Sequence, residues 1–538
     1  MAAGAASTRV QRLRALAFSL LIGCALTPAV ALRPAGAAEL LEVRLDGLHI
    51  PIRLDQLEAW RNQGIPAGTA NDLTPWLGLL DPAGRADLRR MLGAPLLRDR
   101  SFGRQLLDTW AGGQLMAELG TLLTTPEGRS STPLLQLTLR RLLEQRREVS
   151  LLDVLQAVPT PQLNLQLDGL IGLAERWRGQ LLRQQQAFQA LQALPLPTHN
   201  VKAGPEPITA ASLRPLPLQL AVAGRPEGLP LRIWLPPAEE TAASSRPWVL
   251  MMPGLGGNAQ QLGWLAGALA QRGWPVVVVQ HPGSDSQAMR AALVGQRPPP
   301  GAESLARRLA DAEAVIASQR EGRLPVRGQG LILAGHSLGG VTALLAAGLA
   351  PAPGLESRCR TALERLPISN PSRLLQCELA LRALPRTPPR PAELRGVMVF
   401  NGFGSLLWPD PRLAELPVPV LLVGGSLDLV TPPLDEQLAL FLPARDPRSR
   451  LVVVDGGSHF SPVRMAERDD VLLRLGRELV GMDPRRVQAL LLGLSEEFLG
   501  SLEADGAAPP LGAQRRRQDG ITAYVLDPAM ARRWRTAI

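Results

Sequence analysis

The sequence predicts an α/β fold: a mainly parallel central sheet with helices on both faces, preceded by a mostly helical N-terminal domain. Three observations carry this prediction. From about residue 215, short apolar runs of strand length alternate with helical patterns, as βαβ units do. Before residue 165, apolar residues recur at helical spacing. At residues 331–340 an apolar run passes through a glycine-flanked serine into an Ala/Leu helix pattern, a strand-to-helix turn.

In chain order, residues 1–38 read as an export signal. Arg9, Arg12 and Arg14 form a positive start, and Ala15–Leu26 is an apolar run too short for a free-standing helix across a bilayer. Ala29-Val30-Ala31 and Ala35-Gly36-Ala37 are small-residue cleavage sites, so the exported chain would begin near Leu32 or Ala38, in the periplasm or outside the cell. Two other readings stay open: a retained N-terminal anchor, and a lipoprotein signal, Leu21-Ile22-Gly23-Cys24, with Cys24 lipidated. Ordinary cleavage leaves Cys359 and Cys377, which either close a short loop as a disulfide or remain free thiols. No C-x-x-C pair or histidine cluster suggests a metal site.

Residues 39–165 open with a hairpin pattern, Leu41–Ile52, followed by helical patterns at Leu54–Asn62, Pro82–Leu92, Phe102–Leu122 and Pro133–Glu144. Residues 166–214 read as one helix, Asp168–Leu194, and a linker, Pro195–Pro207. Residues 215–485 carry the alternation. Strands are expected at Leu231–Leu235, Trp248–Met252, Val276–Val279, Gly330–Ala334, Gly396–Phe400, Val418–Val423 and Leu451–Val454. Helices are expected at Asn258–Arg272, Glu303–Ser318, Leu338–Leu349, Leu434–Phe441 and Arg468–Val480. Residues 350–391 interrupt this order and carry both remaining cysteines; they read as a lid over the carboxyl ends of the strands or as a plain surface excursion. Residues 486–538 read as a C-terminal helix and tail.

The 538 residues allow two or three domains, and 46% hydrophobic with 20% charged residues is an ordinary globular composition. The net charge is +10, carried almost wholly by arginine, with Lys202 the lone lysine. The arginines are scattered and Tyr524 is the single tyrosine, so no base-stacking platform and no nucleic-acid partner is expected. A membrane-surface or envelope contact stays open.

The chemistry centres on Gly335-His336-Ser337-Leu338-Gly339-Gly340. A G-x-S-x-G at a strand-to-helix turn holds its serine hydroxyl above the sheet, making Ser337 the candidate nucleophile and the Leu338 N–H a candidate oxyanion donor. In this arrangement the chain order is serine, acid, histidine. His459 is the one histidine after the serine placed to act as base, just past an apolar strand. Asp428, reached from the Val418–Val423 run through Gly424 and Gly425, is the chosen acid, ahead of Asp410, Asp435, Asp446 and Asp455. The loop Pro253-Gly254-Leu255-Gly256-Gly257 offers the second oxyanion donor at Leu255. Gly254 and Gly256, with His281 and Ser284 in His281-Pro282-Gly283-Ser284-Asp285, are candidate pocket residues; the second loop reads equally well as a structural turn.

On these motifs, with Gly457-Ser458-His459-Phe460, residues 215–485 resemble the α/β-hydrolases, within them the predicted dienelactone hydrolases and the platelet-activating-factor acetylhydrolase-like esterases. Residues 39–165 resemble in pattern the domain of unknown function that precedes such hydrolases in cyanobacteria. Two departures matter. Pro253 stands where such enzymes often have histidine, and Ser337 stands where dienelactone hydrolases have cysteine. The resemblance therefore implies a serine hydrolase of carboxylic esters, lipid or other acyl esters among them, with no metal or organic cofactor. An acyltransferase, or a non-catalytic binding protein of the same fold, is the alternative. The N-terminal domain offers no nucleophile–base pair and is expected to supply no chemistry.

Overall fold

The computed structural model describes residues 36–538 except 64–72, 79, 98–99, 147, 202–212, 238–245, 365, 368, 383–384, 465–480 and 504–508. The expected export signal up to residue 35, Cys24 included, and the expected helix Arg468–Val480 lie outside the described residues.

The N-terminal unit begins with the expected hairpin, β1 (Leu40–Leu45) and β2 (Leu48–Arg53). Short strands follow at β3 (Pro95–Leu97), β4 (Leu123–Thr124), β5 (Val149–Ser150) and β6 (Gln162–Gln166). β6 runs parallel to β1, giving a four-stranded sheet in the order β2-β1-β6-β4, more strand than helical periodicity alone foretold. The single helix expected over Phe102–Leu122 is two, Arg100–Leu107 and Trp110–Leu122. Thr109 is the cause: its hydroxyl accepts from the Gly112 N–H as an N-cap and starts the second helix afresh. This unit has its own apolar core, built on Leu54, Trp60, Leu143, Val149 and Leu163.

The second sheet has 11 strands. They are β7 (Thr198–Asn200), β8 (Leu216–Val222), β9 (Arg225–Trp234), β10 (Trp248–Met252), β11 (Val276–Val279), β12 (Leu331–His336), β13 (Leu394–Phe400), β14 (Val420–Gly425), β15 (Arg450–Val454), β16 (Gln514–Gln518) and β17 (Ile521–Leu526). Their order is β7-β16-β17-β15-β14-β13-β12-β10-β11-β9-β8. β10 to β15 are parallel to one another, and antiparallel hairpins β8–β9 and β16–β17 extend the two sides.

β10 and β11 are apolar at every position, and the other central strands nearly so, because both faces of the sheet are covered. Leu250, Met252, Leu422 and Val453 enter one core, while their neighbours Val249, Met251, Leu421 and Val452 enter the other. Each such side chain stabilises the fold by roughly 1.5–3 kcal/mol on burial. β10 has β11 on one side and β12 on the other, so the chain reverses its winding direction there. A crevice at the carboxyl ends of strands opens at such a point, and the site lies there.

Two expectations change. Residues 486–538 are not a tail: after the helix Pro484–Gly500, β16 and β17 join the main sheet and the helix Pro528–Thr536 buries Trp534. The hairpin turns at Asp519-Gly520, both at positive φ, a pairing that suits the twist of two-residue hairpins. Nor is Pro195–Pro207 only a linker, since β7 pairs with β16. The helix Leu167–Gln192 before it places Ala187 and Leu191 in the main core.

Residues 350–391 hold two helices, Leu355–Leu363 and Ser372–Ala380, joined by a disulfide between Cys359 and Cys377. Among the described residues, no helix is long and apolar enough to cross a membrane.

Candidate active site

Ser337 sits between β12 and the helix Leu338–Ala346 with φ 52° and ψ −122°. A non-glycine residue takes that left-handed conformation only where its surroundings compel it. Here the backbone is crowded on both sides. A Cβ on Gly339 would lie 2.0 Å from the Met252 carbonyl oxygen, and one on Gly335 would lie 2.2 Å from the Gly339 carbonyl carbon. The turn is also fastened, since the Ser337 N–H donates to the Phe400 carbonyl at 2.9 Å.

The strands bring the sequence's three candidates together. Ser337 Oγ lies 3.1 Å from His459 Nε2, and His459 Nδ1 lies 2.9 Å from Asp428 Oδ2. Asp428 is a carboxylate acceptor, so Nδ1–H donates to it and Nε2 is left with its lone pair toward the serine. Asp428 is buried among donors. Its Oδ1 accepts from the Val430 and Thr431 amides, each at 2.8 Å. Its Oδ2 accepts from Asn401 Nδ2 and Thr431 Oγ1, each at 2.6 Å, as well as from His459. Burial pushes this carboxyl up, but His459 beside it and the bonds from His459, Asn401 and Thr431 outweigh burial and hold it below its ordinary value. Asp455, the neighbour of His459 in sequence, is turned to Ser426 and the Gly456 amide, and half-burial raises it. Asp435 bonds Gln184 and Asp446 bonds Arg448, so neither reaches the imidazole.

His336 braces His459 from behind. Its Nε2–H donates to the His459 carbonyl oxygen at 2.8 Å. Burial, with the His459 ring next to it, lowers His336 to about 3, so it stays neutral.

The glycine loop after β10 lies against the elbow: a Cβ on Gly254 would come within 3.2 Å of Ser337 Cβ. Gly256 takes φ 71° and its N–H donates to the Ser284 carbonyl at 2.8 Å. Among the described residues, neither the Leu255 nor the Leu338 amide donates to a protein acceptor. Leu338 opens its helix, whose first N–H groups have no partner within it.

His281 and Ser284 lie behind this loop rather than on an open pocket wall. Both are buried, and a buried arginine that sequence reasoning missed explains why. Arg308 donates to the carbonyls of Pro253 at 2.7 Å and Gly254 at 2.8 Å, and to Ser284 Oγ at 2.8 Å. His281 Nδ1–H donates to Asp311 at 2.9 Å, and Asp311 also takes both arms of Arg225. Burial lowers Arg308 to about 9 despite Asp311 and Asp285, and burial with Arg308 nearby lowers His281 to about 4. The loop is therefore fixed from below by a fork of charge-assisted bonds. A signal existed: Arg308 stands in the apolar stripe Leu305, Leu309, Ala312 of its helix, an odd place for a charge. Asn401 and Thr431 were also missed; each is a polar residue just past the carboxyl end of a buried strand or in the loop that carries Asp428.

A second buried carboxylate, Glu436, faces the insertion. It accepts from Asn370 Nδ2 at 2.7 Å, Ser405 Oγ at 3.0 Å, and the Gly404 and Ser405 amides at 2.9 and 3.0 Å. These bonds tie residues 370–376 to the loop after β13. Among the described residues, no group of His, Cys, Asp and Glu is arranged to hold a metal ion.

Two family models agree with this architecture. Residues 249–475 match the family model described as "Alpha/beta hydrolase family", and residues 37–166 match "Alpha/beta hydrolase of unknown function (DUF1400)". No curated protein matches the chain. One solved structure similar to it is a puromycin-hydrolyzing peptidase of Mycobacterium tuberculosis, 16% identical, with a TM-score of 0.34. That match covers 58% of this chain and 42% of the peptidase's length.

Proposed function

We propose that this chain, whose C-terminal body has the α/β-hydrolase fold, is a serine hydrolase that cleaves carboxylic esters through an acyl-enzyme. The observation that carries the reading is the relay of 3.1 Å from Ser337 Oγ to His459 Nε2 and 2.9 Å from His459 Nδ1 to Asp428. His459 takes the serine proton as Oγ attacks the acyl carbon. The Leu338 and Leu255 amides receive the negative charge on the carbonyl oxygen, with Arg308 holding the backbone beneath the second of them. The imidazolium then protonates the leaving alcohol, and Asp428 stabilises it meanwhile. Water, activated by the same imidazole, releases the acid and restores the serine.

An exported site of action fits the Cys359–Cys377 disulfide, which persists in oxidising compartments. The test of the hydrolase reading is turnover of p-nitrophenyl esters of rising acyl length. Ser337→Ala is expected to fold and to lose on the order of 10⁴-fold or more in kcat. Turnover near that of the unaltered chain in a folded Ser337→Ala protein would overturn the mechanism.

A further inference from the structure

The helix Leu167–Gln192 carries an apolar face that is exposed among the described residues. Leu170, Ala174, Trp177 and Leu181 follow one another at the four-and-three spacing of a single helix stripe, and Ile171 and Leu182 flank it. Exposure is 40% at Leu170, 46% at Trp177, 39% at Leu181 and 46% at Leu182. Side chains of this size exposed together mark a surface that meets an apolar partner. Arg178 lies within the stripe, and Arg176 and Arg183 lie beside it, against one acid, Glu175, on the same turns. Among the described residues, none of the three arginines pairs with a carboxylate within 4 Å.

The face is near the active site. Ser369 in the insertion bonds Gln180 of this helix. Gln184 donates to Asp435 at 3.1 Å, and the Ser372 N–H donates to the Val430 carbonyl in the acid loop at 3.2 Å. Leu427 and Leu429, on either side of Asp428, are exposed as well. A cavity of about 280 Å³ opens between helix and insertion, with Arg176, Trp177 and Arg373 in its lining and Glu364 the acid among them. The Arg373 Nε is buried there without a partner.

We propose that this face docks flat on an anionic lipid bilayer. The apolar stripe would enter the acyl boundary, with Trp177 at headgroup depth, and the unpaired arginines would meet lipid phosphates. An in-plane helix of this kind needs no membrane span. Docking would present the mouth of the Ser337 site to ester-bearing lipids; this second half rests on the hydrolase reading above, whereas docking does not.

The test uses the full chain and its Ser337→Ala variant with vesicles of phosphatidylglycerol and phosphatidylcholine in equal parts, and of phosphatidylcholine alone, read by co-sedimentation. Binding is expected for both proteins on the anionic vesicles, falling as salt rises. Trp177→Asp with Leu181→Asp is expected to weaken binding by at least about tenfold, with turnover of a short soluble ester and the far-ultraviolet circular dichroism unchanged. Arg178→Glu with Arg183→Glu, which leaves the apolar residues in place, is expected to remove the preference for the anionic vesicles. Failure of the unaltered chain to bind anionic vesicles, or equal binding by Trp177→Asp with Leu181→Asp, would overturn docking. So would a dimer of the unaltered chain that this double variant dissociates, which would give the face to a second copy. Binding without hydrolysis of the lipid would leave docking standing and count against the substrate half.

Discussion

The two bodies of this chain bury different things. The core of the N-terminal unit is apolar, and its buried polar residues are neutral: Thr124, Ser131, Thr138, Ser150, Thr160 and Asn164. The C-terminal body buries His281, Arg308, Asp311, His336, Asp428, Glu436 and His459. An ion removed from water costs several kcal/mol unless it is paired and bonded. A fold does not need that cost, and these seven lie around the ends of β10 to β14; Arg450 and Arg516, also buried, lie apart from them on β15 and β16. The difference teaches where to look for chemistry. Buried hydroxyls and amides finish a backbone, while the buried ionisable groups around the site are bonded so as to orient something. Around the site they orient, in turn, the His459 ring, the glycine loop and the insertion.

The comparison breaks most visibly if Asp428 can be neutralised at no cost. Asp428→Asn is expected to lower kcat by on the order of 10⁴-fold through the wrong His459 tautomer. Asp455→Asn, whose carboxyl faces away, is expected to stay within a few-fold. A silent Asp428→Asn beside a dead Asp455→Asn would reassign the acid.

Arg308 sharpens it. Arg308→Gln leaves Asp311 with His281 and Arg225 but frees the Pro253 and Gly254 carbonyls. A loosened oxyanion loop is expected to cost on the order of 10²-fold in kcat with KM little changed. The purely structural outcome, a lower melting temperature with kcat intact, would leave the loop's positioning to other groups.

The buried histidines make a prediction about acid. His281 and His336 sit at about 4 and about 3, below the ordinary value of 6.5, so the unfolded chain binds protons that the folded chain does not. Stability is therefore expected to fall as pH drops from about 6.5 toward 4. Glu496, raised to about 7 mainly by burial, acts in the opposite sense, losing stability as pH rises through that range. Glu496→Gln should thus steepen the acid-side decline of the melting temperature, and a melting temperature flat from pH 7 to 4 in that variant would contradict the burial of neutral histidine.

The smallest effect is expected from removing the N-terminal unit. A cut near Pro207, which the linker reading invites, would strip Ala187, Leu191, Leu194 and Leu196 from the main core and β7 from β16. A cut before Leu167 keeps them. Hydrolysis of a short soluble ester is expected to survive that cut within a few-fold, although the contact of Gln105 with the Gly295 carbonyl is lost. A soluble, folded truncation inactive on every short ester would show that the unit completes the site.

Legibility from sequence divides along the same line. β10 and β11 were readable to the residue because unbroken apolar runs bounded by Pro and Gly have few other fates. Ser337, His459 and Asp428, chosen from strand-end loops, lie within bonding distance of one another because a parallel sheet places strand ends, and therefore loops, side by side. β16 was not readable: Gln514-Arg515-Arg516-Arg517-Gln518 looks like an exposed tail, and its pairing with β17 and β7, with Glu497 bonded to Arg516, makes it a strand. Asn401 and Arg308 were missed for a related reason. Their roles are set by what crosses from other strands, which spacing along the chain does not record.

The central claim is that Ser337 is the nucleophile, and a fluorophosphonate probe followed by peptide mass spectrometry tests it most directly. A single covalent label is expected on Ser337 in the unaltered chain, none in Ser337→Ala, and a much slower one in Asp428→Asn. A label on another serine, or equal labelling of the unaltered chain and Ser337→Ala, would contradict it.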